Sequence, residues 1–275
     1  DEGRVLPDPL TGGWEYRYDI NDHLGNPRLT FTTKDQVFDY LATMETENAE
    51  DENALFSNLD ETRVNFLSAS NSPDEVARVN GTQPIGPALS LMVGAGDSIN
   101  IEAYAYFEGG SGYSNTNSLA AIVGAVAGSF GGLNGGLESQ QFIYNAFDNA
   151  YGIIGLGGTG NDNVPAAYLN YILFDREMTY KKSGFIQTSS TARFNHERLA
   201  LTDIYIEEEG FIYVYVSNES ASANWVYFDD LKVTQTQGKV IKKEDYYPMG
   251  LSFNPYHRDN LYYAGAVNTR GISND

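Results

Sequence analysis

The sequence contains no cysteine. That removes disulfides, thiol nucleophiles and thiolate metal sites together, but leaves the compartment open, since surface proteins also fold without disulfides. Positive charge is scarce: 17 Lys+Arg stand against 37 Asp+Glu, a formal net charge of −20. Affinity for phosphate backbones comes mainly from Lys and Arg, so this balance argues against a nucleic-acid partner. A run of about 20 apolar residues, the length a membrane-spanning helix needs, is also lacking. The nearest approach, Leu119 to Phe130 (LAAIVGAVAGSF), is too short. The chain starts at Asp1 without a charged-then-apolar leader, so the expectation is a processed or excised piece whose signal sequence has gone or lies elsewhere.

Histidine is sparse as well. His23, His196 and His257 are far apart and none belongs to an H-E-x-x-H pattern. No serine sits in a G-x-S-x-G elbow, so nothing marks a nucleophile with its base. Gly155-Leu-Gly157-Gly158-Thr-Gly160 spells G-x-G-x-x-G. The adjoining residues, Asn161 to Pro165, do not open a helix, and no βαβ unit surrounds them, so the segment reads as a loop. Carboxylates are plentiful enough for glycoside hydrolysis by residue type, but in so acidic a chain that says little. The expectation is a protein that is not an enzyme.

What remains is ample for a folded core. The 275 residues are 41% hydrophobic and 13% aromatic, which excludes a disordered acidic tail and allows one large or two modest domains. Charge is unevenly placed. Nine carboxylates and no basic residue lie between Lys34 and Arg63, five of them within Glu45 to Glu52. No Lys or Arg lies between Arg78 and Arg176, and 16 of the 28 glycines fall between Gly94 and Gly160. Such a weakly charged, loop-rich stretch reads as an insertion on a larger scaffold. The acidic run admits two readings: a solvated surface, or a cation site that screens clustered carboxylates.

Period-two patterns dominate. From Asp97 to Phe107, Ile99, Ile101, Ala103, Ala105 and Phe107 fall on one face, and Asn100, Glu102, Tyr104 and Tyr106 on the other; this is a half-buried strand. Ala167 to Asp175, Phe211 to Val216 and Ala223 to Val233 read likewise, and less regularly Thr62 to Ala69, Glu75 to Asn80 and Pro87 to Val93. Many short strands with turn punctuation predict a mainly β fold, a jelly roll or β-sandwich. Val226 and Phe228 are out of phase with Leu231 and Val233, so the Asp229-Asp230 pair is expected to form a β-bulge. Two helical patterns, Asn115 to Ser129 and Leu137 to Tyr151, predict a small helical hairpin insertion over about 115–151.

The two ends resemble each other. Aromatic residues precede a glycine turn in Trp14 to Arg28 and again in Val240 to Phe253, which is hairpin grammar. The segment Asp22-His23-Leu-Gly25-Asn26-Pro-Arg28 resembles Rhs/YD-repeat proteins, and Tyr246-Tyr247-Pro248-Met-Gly250 is similar to a second signature of that family. Together they resemble the Rhs repeat-associated core of Bacteroidota proteins. The resemblance covers about residues 1–35 and 238–265 by motif and implies YD-repeat-type β-hairpin strands flanking an insert. The expected division is 1–38 repeat-like, 39–236 sandwich insert, and 237–275 repeat-like segment and tail. His23 is expected to be a structural hydrogen-bonding residue. The tail from Arg258 to Ala266 departs from the family's usual continuation, so no protease or toxin activity carries over.

The insert's last strand, Val226 to Val233, is similar to that of galactose-binding-like jelly rolls, which include many carbohydrate-binding modules. Ala42 to Ala49 is compatible with a first strand of that fold. That resemblance implies a structural calcium held by Glu45, Glu47, Asp229 and Asp230; the alternative is that Asp229-Asp230 is simply an exposed bulge. Sugar rings stack on aromatic side chains while their hydroxyls need fixed polar partners. Tyr104, Tyr106, Tyr113 and Trp225 are the candidates, against the alternative that tyrosines here pack across strands. Two function classes remain: an exported, cell-surface Rhs-type scaffold that binds a protein partner, as a companion of type IX secretion or gliding machinery, and a glycan-binding module carried on that scaffold.

Overall fold

The computed structural model describes residues 2–7, 12–34, 36–67, 73–109, 163–220 and 224–257. The expected helical hairpin (115–151), Tyr113 and the glycine-rich loop at 155–160 lie outside the described residues.

In chain order the first strands are β1 (Glu2–Pro7), β2 (Trp14–Asn21), β3 (Pro27–Thr32) and β4 (Val37–Ala42). A 3-10 turn at Thr46–Asn48, helix α1 (Ala49–Asn53), β5 (Phe56–Ser57) and helix α2 (Leu59–Thr62) come next. Then come β6 (Arg63–Leu67), β7 (Pro73–Val79), β8 (Ile85–Val93), β9 (Ser98–Tyr106), β10 (Ala167–Asp175), β11 (Tyr180–Gln187), β12 (Glu197–Tyr205), β13 (Gly210–Asn218) and β14 (Val226–Thr236). The last strands are β15 (Val240–Tyr246) and β16 (Ser252–His257). Among the described residues no helix is long and apolar enough to cross a membrane.

The protein is mainly β, built as a sandwich with a third sheet alongside. One sandwich sheet runs β12-β9-β14-β7-β6, with β4 also pairing to β14; the other runs β11-β10-β13-β8-β5. Within these, the eight strands β7 to β14 divide as 7-14-9-12 and 8-13-10-11, the interleaved order of a jelly roll. Ile99, Ile101 and Ala103 of β9 and Val226, Phe228 and Val233 of β14 meet Leu169 of β10 and Ile212, Val214 and Val216 of β13 in one buried cluster. Each fully buried aliphatic or aromatic side chain of this kind stabilises the fold by roughly 1.5–3 kcal/mol. The alternating β9 buries one face, whereas the near-continuous apolar runs of β10 and β13 are buried on both, as such runs imply. Burial pushes the Tyr168 hydroxyl of β10 up to about 12.

The bulge expected at Asp229-Asp230 is present. The β14–β9 register shifts between Asp229 and Lys232, and Asp230 takes a left-handed φ of 48°. It sits where β14 changes its other partner, from β4 at residues 231–236 to β7 at 226–228. On the far flank of β9, β12 also bulges, with Asp203 at φ 57° and its N–H donating to Asn100 Oδ1 at 2.8 Å.

Residues 42–49 do not form the expected first strand. β4 ends at Ala42, and the acidic run turns away as the 3-10 turn and α1. Glu52 fixes this departure: its Oε1 accepts from the Thr43 N–H at 2.7 Å and from Thr43 Oγ1 at 2.6 Å. A side-chain acceptor thus replaces a ladder partner at the end of the strand.

The third sheet has the order β1-β2-β3-β15-β16, so strands from the two end regions of the sequence share one sheet, with β3 beside β15. The chain leaves β3 for the sandwich and returns into β15 as a paired double strand. The Thr32 N–H donates to Lys239 O at 2.9 Å and the Gln237 N–H to Gln36 O at 2.8 Å. Asp97, only 1% exposed, clamps the return: it accepts from the Gly238 N–H, the Gly94 N–H and Gln235 Nε2 at 2.8–2.9 Å. Gly238 has to be glycine, because a Cβ there would meet the Gly96 carbonyl carbon at 2.6 Å.

Candidate functional site

The outer face of the β9 sheet carries a graded set of side chains, set by strand alternation and register. At one end, Tyr106 of β9 is opposite Tyr227 of β14, which in turn is opposite Arg78 of β7. The next row places Tyr104 between Asp229 and Arg198. The row after places Glu102 between Lys232 and Ala200. Apolar aromatic surface therefore gives way to polar and charged groups along the same strands.

The aromatic end is a cluster in mutual contact. Phe66 of β6 lies 5.1 Å from Tyr106 and 5.0 Å from Tyr227, ring centre to ring centre. Tyr106 lies 5.7 Å from His196 in edge-to-face contact and 6.0 Å from Tyr227. These separations suit aromatic pairing. Together with Tyr104, Val76 and Asp229 they line a shallow, open depression. Burial and then the Glu108 carboxylate push the Tyr106 and Tyr227 hydroxyls above their ordinary range. Both therefore stay protonated and able to donate at neutral pH.

The structure brings Tyr104 and Tyr106 together on this face, as the alternation predicts. Trp225 precedes β14 and is 36% exposed; one side of its ring is covered by the Arg78 guanidinium, whose carbon is 4.2 Å from the ring centre. Tyr227, His196 and Phe66 were not singled out from sequence. Tyr227 was within reach, because it alternates with the inward Val226 and Phe228. His196 and Phe66 come from segments whose neighbours only the topology reveals.

The four carboxylates expected to hold calcium are not gathered. Glu47 is exposed on the 3-10 turn. The Glu45 carboxylate accepts from the Glu75 N–H at 3.4 Å, and Glu75 accepts in return from the Thr46 N–H at 2.5 Å. Asp229 accepts from the Asp230 N–H at 2.8 Å, within the bulge. Among the described residues no group of three or more His, Asp or Glu is placed to hold a metal ion. A side-chain cation stands in the acidic loop instead: Arg63 Nε donates to Met44 O at 2.6 Å and Nη1 to Asp60 Oδ1 at 2.6 Å.

The end motifs form matching turns in the third sheet. The Asp22 N–H donates to Asn26 O at 2.9 Å and the Gly25 N–H to Asp22 O at 3.0 Å. The Tyr247 N–H donates to Leu251 O and the Gly250 N–H to Tyr247 O, both at 2.8 Å. Gly25 and Gly250 occupy the same position with φ of 87° and 81°, where glycine carries no Cβ penalty. The hydrogen bonding expected of His23 belongs to Asp22: its Oδ1 accepts from the Leu24 and Asn26 N–H groups at 2.9 and 3.0 Å, while His23 is exposed. Arg28 links the motifs. Its Nε is 3.5 Å from Asp22, its Nη1 3.8 Å from Asp245, and its guanidinium lies over the Tyr246 ring. Pro248 lies exposed in the second turn.

No protein-family model matches the chain, and no curated protein matches it. Among solved structures it is similar to the carbohydrate-binding and xylanase modules of Clostridium thermocellum xylanase 10B complexed with xylohexaose, at TM-score 0.34 and 10% identity. That match covers 63% of this chain and 24% of the other, so the chain spans about a quarter of that protein's length. It is also similar to the C-terminal CBM6 of LamC, a marine laminarinase from Zobellia galactanivorans, at TM-score 0.28 and 8% identity, covering 74% of this chain and all of that one. A Stig cyclase from Fischerella sp. TAU is similar at TM-score 0.30 and 11% identity, covering 86% and 90% of the two chains. The jelly-roll assignment rests on the strand order above.

Proposed function

We propose that this chain is a non-catalytic module that binds a carbohydrate on the outer face of the β9 sheet. The observation that carries the reading is the open aromatic platform of Tyr104, Tyr106 and Tyr227 running directly into the polar rows of Asp229 and Glu102. Apolar sugar faces stack on the rings, while Asp229, Glu102 and the tyrosine hydroxyls meet the sugar hydroxyls. The depression is shallow and open, which suits contact along a glycan chain rather than enclosure of one ring. Native affinity electrophoresis against a broad set of soluble polysaccharides tests it. Retardation that weakens in Tyr104→Ala and Tyr106→Ala supports the reading; no retardation by any polysaccharide overturns it.

A second reading concerns the third sheet. The matched turns at Asp22–Asn26 and Tyr247–Leu251, locked together by Arg28, support a repeat-type Rhs scaffold at the cell surface that carries the sandwich and meets a protein partner, such as type IX secretion or gliding machinery. Fractionation of cells producing the native full-length protein tests it. Recovery with envelope or medium supports the reading, and recovery only in the cytoplasm sinks it.

A further inference from the structure

We propose that the β9 face selects uncharged glycans and that Glu102 enforces the selection. This deepens the carbohydrate reading above and rests on it. A binding face meant for uronates or sulfated sugars presents uncommitted Arg or Lys beside its aromatic platform, because planar or point-charged cations recognise carboxylate and sulfate. Among the described residues three cations reach the face: two are paired with carboxylates and the third is stacked on an aromatic ring.

Arg198 is opposite Tyr104 on the β12 flank. Its guanidinium is bound to Glu102, with Nε donating to Oε2 at 2.7 Å and Nη2 donating to the same oxygen. Lys232, opposite Glu102 on the other flank, is held 3.5 Å from Asp39. Arg78 is stacked on Trp225. The carboxylates at the rings are Asp229 beside Tyr104 and Glu102 one row on, and Glu108 acts on the Tyr106 and Tyr227 hydroxyls. The chain as a whole carries −20. An acidic glycan meets like charge and occupied cations, whereas a neutral glycan meets acceptors for its hydroxyls. Glu102 is decisive because it holds Arg198, the cation opposite Tyr104 in register, so neutralising it in place releases Arg198 without removing a heavy atom.

Affinity electrophoresis of the full chain, at low ionic strength, against soluble neutral glucans and xylans and against alginate and polygalacturonate, tests this. The wild type is expected to be retarded by at least one neutral polysaccharide and by neither uronate polymer. In Glu102→Gln the ratio of uronate to neutral affinity is expected to rise about two- to fivefold, the size of one freed exposed ion pair. That gain is expected to fade with added salt and to vanish in Glu102→Gln/Arg198→Ala. A wild type that prefers the uronate polymers, or a ratio unmoved in Glu102→Gln, overturns the selection while leaving carbohydrate binding in place. A wild type retarded by neither class overturns the carbohydrate reading and this inference with it.

Discussion

Arg28 and Tyr246 are 218 positions apart in sequence and stacked in space, the guanidinium carbon 5.1 Å from the ring centre. The same guanidinium reaches Asp22 in its own hairpin and the Glu244 carbonyl in the other, at 3.5 Å each. A planar fork with several donors can meet all of these at once, and an ammonium cannot. Arg28→Ala is therefore expected to destabilise the third sheet by about 1 kcal/mol, with Arg28→Lys recovering little of it. Amide hydrogen exchange at β3 and β15 measures the effect locally, while exchange in β10 and β13 stays unchanged.

Asp22 gives that sheet a pH dependence. Its carboxylate is held below the ordinary aspartate range, chiefly by the hydrogen bond from the Asn26 backbone and further by the Asn26 side chain, the Leu24 N–H and Arg28, against some desolvation. A depressed folded value stabilises the turn at pH above the unfolded range and ceases to do so as pH falls through the folded value. The turn is expected to hold from neutrality down to about pH 4, near the unperturbed aspartate value, and to loosen below that. Asp22→Asn is expected to flatten this acid limb, as followed by the chemical shifts of Gly25 and Asn26.

Tyr104 and Tyr227 point outward from a sheet whose core is made by their neighbours Ala103, Ala105, Val226 and Phe228. Truncating either ring is expected to weaken polysaccharide binding by about 1–2 kcal/mol, roughly five- to thirtyfold. The unfolding midpoint is expected to change little in Tyr104→Ala, which separates a binding role from a structural one, and to fall in Tyr227→Ala, which also loses the ring contacts with Phe66 and Tyr106. Isothermal titration with a retarding polysaccharide and thermal melts of the same samples give both numbers.

Gly210 opens β13 against the end of β10. A Cβ there would lie 1.9 Å from Phe174 O, a backbone atom that cannot step aside. Gly210→Ala is expected to cost about 1–3 kcal/mol, read as a lowered denaturant midpoint with the slope retained.

Arg63 supplies the positive charge of the acidic loop. Arg63→Ala leaves the Met44 carbonyl without its donor and leaves Asp60 with only the Asn53 side chain, and is expected to cost about 1–3 kcal/mol. The wild type's melting temperature is expected to be the same in calcium and in chelator. A calcium-dependent rise would show that the loop takes a metal after all.

Strands with an uninterrupted apolar pattern, alternating in β9 and near-continuous in β10, were readable from sequence. The Ala167 to Asp175 run matches β10 end to end, and Ser98–Tyr106 lies within the Asp97 to Phe107 pattern. β12 escaped because its bulge at Asp203 changes phase, so that Leu199 and Ile204, five residues apart, both face inward. β11 escaped because Lys181, Lys182 and Gly184 dilute its apolar pattern. The acidic run misled for a local reason: Glu52 reaches back to cap Thr43, a contact no periodicity encodes. Of the candidate site, Tyr104 and Tyr106 followed from parity alone. Their companions Phe66 and His196 depend on which strands become neighbours, and that is fixed by the packing of the whole sandwich.

The paired segments that join β3 to β4 and β14 to β15 bear on how such a molecule could be built up. Because the outgoing and returning chains are hydrogen-bonded neighbours at Thr32 and Lys239, the host sheet needs only two ends one strand spacing apart. The pairs Thr32–Lys239 and Gln36–Gln237 thus hold the outgoing and returning chain one strand spacing apart.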